Sequence, residues 1–577
     1  MFIKCACVLA CAALIATSYA IGDEGERKKS KTPDAATKEF VALAEAHLAK
    51  YKPLVIESER AWWEASITGS DQAFKRKEQI GNKLVELHSD HETFARLKAL
   101  RQQGKITDPV LRRMLDRLYR AFLSGQADPD LQKRIVKLEG EVEQLFNTHR
   151  SVVSGQERTE NEVRRIVAQS ADSKEVREAW LAYMAVGQKV DRQLRELVKL
   201  RNEVASQLGF RDYFAMRLFL DEIDETELWR LLDELDELTR EPFAALKKTI
   251  DHTMAVRFGI NERELRPWHF GELYFQELPG QAGDAFESVF ENRDMLALAR
   301  DYYAGLGMPV EDILARSDLY EKPGKSPHAF AVDMDRAGDV RILCNLKPNP
   351  YWMDTLLHEL GHAVYDKYIG KDVPFLLHSA SHGITTEGVA LMFGAMAKNE
   401  HWLIPVLDLP ADEAAALCRA ARQRLREEKL VFCRWAQVVV RFEREMYGNP
   451  EQDLGRLWWD LKRQYQLLNP PEDVSRPDYA AKIHIVTVPV YYHNYLLGDL
   501  FAAQVQHHIA THVLGLNDPM ATSFYGRKDV GDYLRREVFA PGKLYAWNDL
   551  TKRATGEPLA AKYFVRQFVR RDSDAPD

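Results

Sequence analysis

Cysteine is scarce in this chain: six in 577 residues. Cys5, Cys7 and Cys11 sit together near the N-terminus, which leaves Cys344, Cys418 and Cys433 for the body. An odd number cannot all pair, so a disulfide framework is excluded and a hydrophobic core must hold the fold. Two readings stay open for the last two cysteines, a Cys418–Cys433 bridge or buried free thiols. Long apolar runs are also missing. Beyond the N-terminus no stretch reaches the roughly 18 to 20 apolar residues of a spanning helix, so a membrane span is not expected. Charge of one sign is lacking as well, with 79 basic against 87 acidic residues. Without a dense basic patch, nucleic acid is not an expected partner. No internal repeat is evident.

What is present begins with an export signal. Lys4 gives a short positive region, Cys5 to Ala16 a compact apolar stretch, and Ser18-Tyr19-Ala20 a small-x-small cleavage site. This pattern is expected to be a secretory signal peptide over 1–20, leaving an exported, soluble protein, periplasmic or secreted. Using Cys11 as a lipoprotein anchor would leave almost no apolar region before it. Amphipathic helical spacing then dominates, over Pro33 to Thr68, Gln72 to Gln102, Pro129 to Thr148, Ser173 to Leu208, Glu225 to Val256, Ala411 to Tyr447 and Leu454 to Leu468. Residues 571–577 read as a disordered polar tail.

The chemistry centres on His358-Glu359-Leu360-Gly361-His362, an H-E-x-x-H motif in a stretch free of helix breakers on its N-terminal side. At helical spacing the two imidazoles lie one turn apart on one face and reach a single cation, while Glu359 holds a metal-bound water as general base. Two His ligands, a carboxylate base and an open coordination position are the parts of a zinc hydrolase. The bland alternative is an amphipathic helix with two chance histidines. Glu387, 25 positions after His362, opens an apolar helical run and is the expected third ligand. Asp366 is a competitor on the first helix, but its side chain is short. His378 and His382 lie among Ser and Gly neighbours and read as hydrogen-bonded loop histidines.

One region reads as β structure. His328 to Met334 and Asp339 to Cys344 flank a Gly-containing turn, the pattern of a hairpin. It precedes the H-E-x-x-H helix, where an edge strand aligns a peptide by β-augmentation; a purely structural hairpin is the alternative.

Six segments, in order, resemble a known family. Gly271-Glu272-Leu273-Tyr274-Phe275-Gln276 is similar to G-N-M-W-A-Q, Pro327 to Asp333 to C-H-A-S-A-W-D, and His358 to His362 to H-E-M-G-H. Thr386-Glu387-Gly388 is similar to H-E-A, Lys482-Ile483-His484-Ile485 to K-F-H-I, and Val488 to Tyr495 to V-P-Y-I-R-Y with two extra residues. The chain resembles the peptidyl-dipeptidase family of angiotensin-converting enzyme, among the gluzincin metallopeptidases, as a divergent, bacterial-type member.

The resemblance implies a mainly α, elongated helical metallopeptidase fold with a deep central cleft and a small β ribbon beside the zinc helix. It implies a single helical peptidase domain over 21–570, of two subdomains flanking the cleft, with N-terminal helices as a lid. One Zn2+ per chain would be held by His358, His362 and Glu387. Glu359 would be the general base, Tyr495 the oxyanion donor, and His484 a catalytic partner at a peptide carbonyl. His328, Ala329 and Ala331 would align the substrate backbone. Gln276, Lys482 and Tyr492 would bind a free C-terminal carboxylate, with Tyr491 the alternative to Tyr492. An oligopeptide with a free C-terminus would then lose a dipeptide.

Departures from the pattern are as informative. The family's chloride-binding Arg falls on Asn494, which puts chloride dependence through that site in doubt. Its supporting Asp four residues after the third ligand falls on Leu391. The strand Cys is Pro327, so the family's disulfide with Cys344 cannot form, and the strand Trp is Val332. Two other functions remain open. One is a related zinc oligopeptidase that cleaves internal bonds or trims single residues; the other is a catalytically weak zinc- or peptide-binding secreted protein.

Overall fold

Helix caps and close helix contacts set the architecture. The computed structural model describes residues 34–280 and 288–569. The export segment and the polar tail expected from the sequence lie outside the described residues. Of the rest, 69% is helical, which makes the fold mainly α and elongated. The longest helix, Ala411–Gly448, has 38 residues and runs for about 57 Å. Asp412 and Glu413 stand in its first turn, where acidic side chains favour the positive end of the helix dipole.

Most helical segments lie where the apolar spacing puts them. Ala35–Thr68 starts at Asp34, whose carboxylate accepts the Thr37 N–H at 2.7 Å, and stops at Gly69 in the left-handed region. The expected helix over Gln72 to Gln102 is two helices, Asp71–His88 and His91–Gln103. The Asp90 carboxylate accepts the N–H groups of Glu92 and Thr93, and this cap restarts the helix against the running periodicity.

Strands are few among the described residues. The ribbon Phe330–Asp333 and Val340–Leu343 is antiparallel, with Ala331 opposite Ile342. Its turn holds Arg336 and Gly338 at positive φ, and the Asp335 carboxylate accepts the N–H groups of Ala337 and Asp339. A second hairpin, Ser151–Val153 with Gln156–Arg158, escaped the periodicity reading. Its Ser154-Gly155 turn has both φ positive, as a two-residue hairpin loop requires, and three-residue strands are too short to show alternation.

One apolar core runs from Ala36 to Val565 through both halves of the chain. Cys344, Cys418 and Cys433 are buried free thiols. Cys418 and Cys433 lie on the same straight helix, about 22 Å apart along its axis, so they cannot bridge. No helix of the described residues is long and apolar enough to cross a membrane.

Candidate active site and metal centre

Three helices meet at the site. The motif helix, Pro350–Lys367, is capped by Asn349, whose side chain accepts the Trp352 N–H at 2.9 Å. The return helix, Gly383–Gly394, is capped by His382, whose Nδ1 accepts the Ile384 N–H at 3.1 Å. His382 Nε2 contacts the Asp221 carbonyl at 2.7 Å. His382 is therefore a hydrogen-bonded cap and takes no place in the metal group, and nor does His378 or Asp366. The third helix, His493–His508, carries Tyr495.

Two glycines bring these helices together. A Cβ on Gly361 would stand 2.9 Å from Ala390 Cα, and one on Gly388 would stand 2.8 Å from the Gly498 carbonyl oxygen. Neither position has room for a side chain. The close approach of backbones sets His358, His362 and Glu387 facing one another.

His358, His362 and Glu387 form a group whose ligand atoms all lie within 4.8 Å of one another. Glu387 Oε2 is 3.7 Å from His358 Nε2 and 3.8 Å from His362 Nε2. Tetrahedral zinc with bonds of about 2.0 to 2.1 Å needs ligand atoms roughly 3.3 to 3.4 Å apart, so a few tenths of an ångström of contraction brings Glu387 to that distance from each histidine. The His362 Nδ1 lies 2.6 Å from Thr386 Oγ1. With Nδ1–H donating there, the Nε2 lone pair is left free for a cation. The three side chains keep 21%, 15% and 27% of their exposure, so the site is recessed yet open to solvent.

Burial shapes the charges of the group. Burial pushes His358 down to about 4 and His362 down to about 3, so both rings are neutral ligands at neutral pH. Burial, and then the charge of Glu387, push Glu359 up to about 8; burial and then Asp499 raise Glu387. Two carboxylates crowded in a buried space resist ionising together, and a divalent ion held by His358, His362 and Glu387 would reverse that penalty. The donor set and its spacing fit zinc.

A second group converges further along the recess. Lys482 Nζ donates to Gln276 Oε1 at 2.8 Å, and the Tyr492 hydroxyl donates to the same oxygen at 3.2 Å. Gln276 Nε2 donates to Glu272 at 3.2 Å, and the Trp435 N–H donates to the Tyr492 oxygen at 2.8 Å. Burial lowers Lys482 to about 8, against the charge of Glu272. Of the two tyrosines expected as alternatives for a carboxylate site, Tyr492 is the one that bonds Gln276. Tyr491 instead packs its ring 5.4 Å from Tyr495 and feels the charge of Glu387.

The remaining residues are placed as follows. Tyr495 lies 5.4 Å, ring to ring, from Tyr492, and burial and the Glu387 charge raise its hydroxyl. His484 is 5.6 Å from the Tyr492 ring and its buried Nδ1 has no protein partner. Ala331 lies in the ribbon strand Phe330–Asp333 and Ala329 directly before it, and that strand pairs on one side only among the described strands. His328 is exposed, its N–H bonding Ser326 Oγ at 3.3 Å, and no contact joins its ring to the other groups among the described residues. Trp62 of the first long helix stacks on Phe330 at 4.2 Å.

Sequence reasoning gave no role to Thr386, Glu272 or Trp435. Thr386 stands directly before the third ligand, and that adjacency was a usable signal. Trp435 lies in a long helix far from every motif, and nothing in its neighbours marks it.

Comparison with known proteins agrees with this picture. The family model Peptidase_M2, described as angiotensin-converting enzyme, matches residues 31–246 and 283–569. Angiotensin-converting enzyme of Mesocricetus auratus is 24% identical over 304 residues, covering 49% of this chain and 23% of that protein. The inactive angiotensin-converting enzyme-related protein of Caenorhabditis elegans is 22% identical over 355 residues, 54% of this chain and 39% of that protein. Thermostable carboxypeptidase 1 of Pyrococcus furiosus is 23% identical over 391 residues, 60% of this chain and 74% of that protein. The chain spans about a quarter of the length of the hamster and rabbit enzymes it matches.

Proposed function

The chain belongs to the angiotensin-converting enzyme family of peptidases, and from that premise we propose that it is a zinc metallopeptidase releasing C-terminal dipeptides from oligopeptides. The observation that carries the reading is the convergence of Lys482 and Tyr492 on the Gln276 carboxamide oxygen, with Tyr495 packed against Tyr492 and near enough to Glu387 of the metal group to feel its charge. A buried cation with a neutral hydroxyl donor beside it is what a peptide carboxylate needs when it leaves water.

His358, His362 and Glu387 would hold the zinc ion, which supplies Lewis acidity toward the scissile carbonyl and lowers the pKa of water. Glu359 takes a proton from the attacking water and returns it to the leaving amine. The Tyr495 hydroxyl donates to the oxygen that gains negative charge, a contribution on the order of 3 kcal/mol. His484, neutral at working pH, hydrogen-bonds a peptide carbonyl. The open edge of the ribbon at Ala329 and Ala331 takes the peptide backbone as an added strand. The composition of residues 1–20 supports export, which would give the enzyme extracytoplasmic peptides as substrates.

The test is digestion of one peptide as free acid and as C-terminal amide, with and without a chelator, read by mass spectrometry. Dipeptides released from the free acid alone, and only with metal, are expected. Equal internal cleavage of both forms would overturn the dipeptidase assignment and keep the zinc reading. Similarity to a carboxypeptidase favours a second reading, single-residue trimming, which the mass of the first fragment separates. Metal bound with neither form cleaved would place the chain beside its inactive relative.

A further inference from the structure

We propose that Asp354 is the positioning carboxylate of His358, taking from the motif helix itself the part that position 391 cannot play; this rests on the zinc reading above. A ligating imidazole is oriented by a partner on its other nitrogen. His362 has Thr386. For His358 the structure offers Asp354, one helical turn N-terminal on the same face. Helical side chains lean toward the N-terminus, so the His358 ring lies over the turn that carries Asp354.

Three observations place the carboxylate in the space beside His358, short of a direct bond to its ring. At Gly394, the last residue of the return helix, a Cβ would stand 2.5 Å from Asp354 Oδ1 and 3.3 Å from His358 Cβ. The missing side chain at Gly394 is the space in which Asp354 and His358 come together. Lys398 Nζ holds the other carboxylate oxygen at 3.1 Å, which fixes the side chain and leaves Oδ1 on the histidine side. Asp354 and Leu391 line the same cavity of about 80 Å³, together with Lys398, Lys429 and Asp499. The return-helix position is apolar, and a carboxylate on the facing helix supplies the charge to the same space.

The experiment measures zinc affinity by chelator competition for the parent protein, Asp354→Asn, and Asp354→Asn with Leu391→Asp, alongside melting of each metal-free protein. Affinity is expected to fall about 10- to 100-fold in Asp354→Asn, with metal-free melting unchanged, and to recover when the carboxylate is returned at position 391. Zinc binding within twofold of the parent would overturn the inference, as would a loss explained by lower metal-free stability. Should Asp354→Asn fail to fold, Lys398→Met must alter the visible spectrum of the cobalt-substituted protein, and an unaltered spectrum overturns the inference. A parent protein that binds no zinc would bring down the zinc reading itself, whereas tight binding by both parent and Asp354→Asn brings down this inference alone.

Discussion

Lys482 is the residue whose charge state decides substrate capture in the proposed reaction. Its folded pKa is pushed down to about 8, so it is a cation below that pH and loses its charge as pH rises through it. KM for free-acid peptides should therefore climb by about tenfold per pH unit above 8, following the loss of the protonated form. Lys482→Met should raise KM roughly 100-fold near neutrality, as truncating one partner of a buried charge pair does, and flatten that pH dependence. Steady-state kinetics between pH 6 and 10, compared with the same runs on an amide, check both outcomes. Glu359→Gln should lower kcat by about 10³-fold, within the range of general-base loss, while zinc content by metal analysis stays at one per chain. The His358, His362, Glu387 group was legible from the motif and one apolar run because spacing on a helix fixes which side chains share a face. Trp435 and Asp354 were not, since their contacts exist only once elements distant in sequence lie side by side.

Between elements, the site depends on backbone contact where the return helix meets its neighbours. Gly388→Ala would press a methyl against the Gly498 carbonyl oxygen and the Phe501 ring, which lies 2.6 Å from its ideal position. The two helices must separate, at a cost of about 1 to 3 kcal/mol, and the adjacent Glu387 moves with them. Urea unfolding should show that loss, and zinc affinity should fall in the same variant; a protein of unchanged midpoint would show that the interface yields freely. Helix existence was legible because long apolar stripes at period 3.6 survive any tertiary context. The Ser89-Asp90 break was not, because a cap interrupts a pattern without changing its period. The short hairpin at Ser154-Gly155 left only its turn dipeptide as a trace.

For the whole molecule, the metal group ties the motif helix to the return helix, and both belong to a core that runs the length of the described chain. Anything that binds the folded state alone raises its stability by mass action, about 2.7 kcal/mol at a hundred times Kd. Calorimetry of the metal-free protein should show the midpoint rise on adding zinc, and His358→Ala should abolish the rise. A midpoint indifferent to zinc in the parent protein would argue against a site at the core. Mainly α architecture was legible from the whole sequence; the arrangement of the helices was not, since it is decided by glycines and caps that no periodicity contains.

The shared acceptor at Gln276 has one more consequence. Its carboxamide oxygen takes the hydrogen bonds of Lys482 and Tyr492, so the pocket carries its own internal competitor. An incoming amide-terminated peptide offers a carbonyl no better than the one in place, and exchanging like for like gains nothing. A carboxylate wins the contest by its full charge. In the proposed reaction, selectivity for the free acid would then be set as a threshold: a ligand enters only when it displaces a neutral amide that the protein itself supplies.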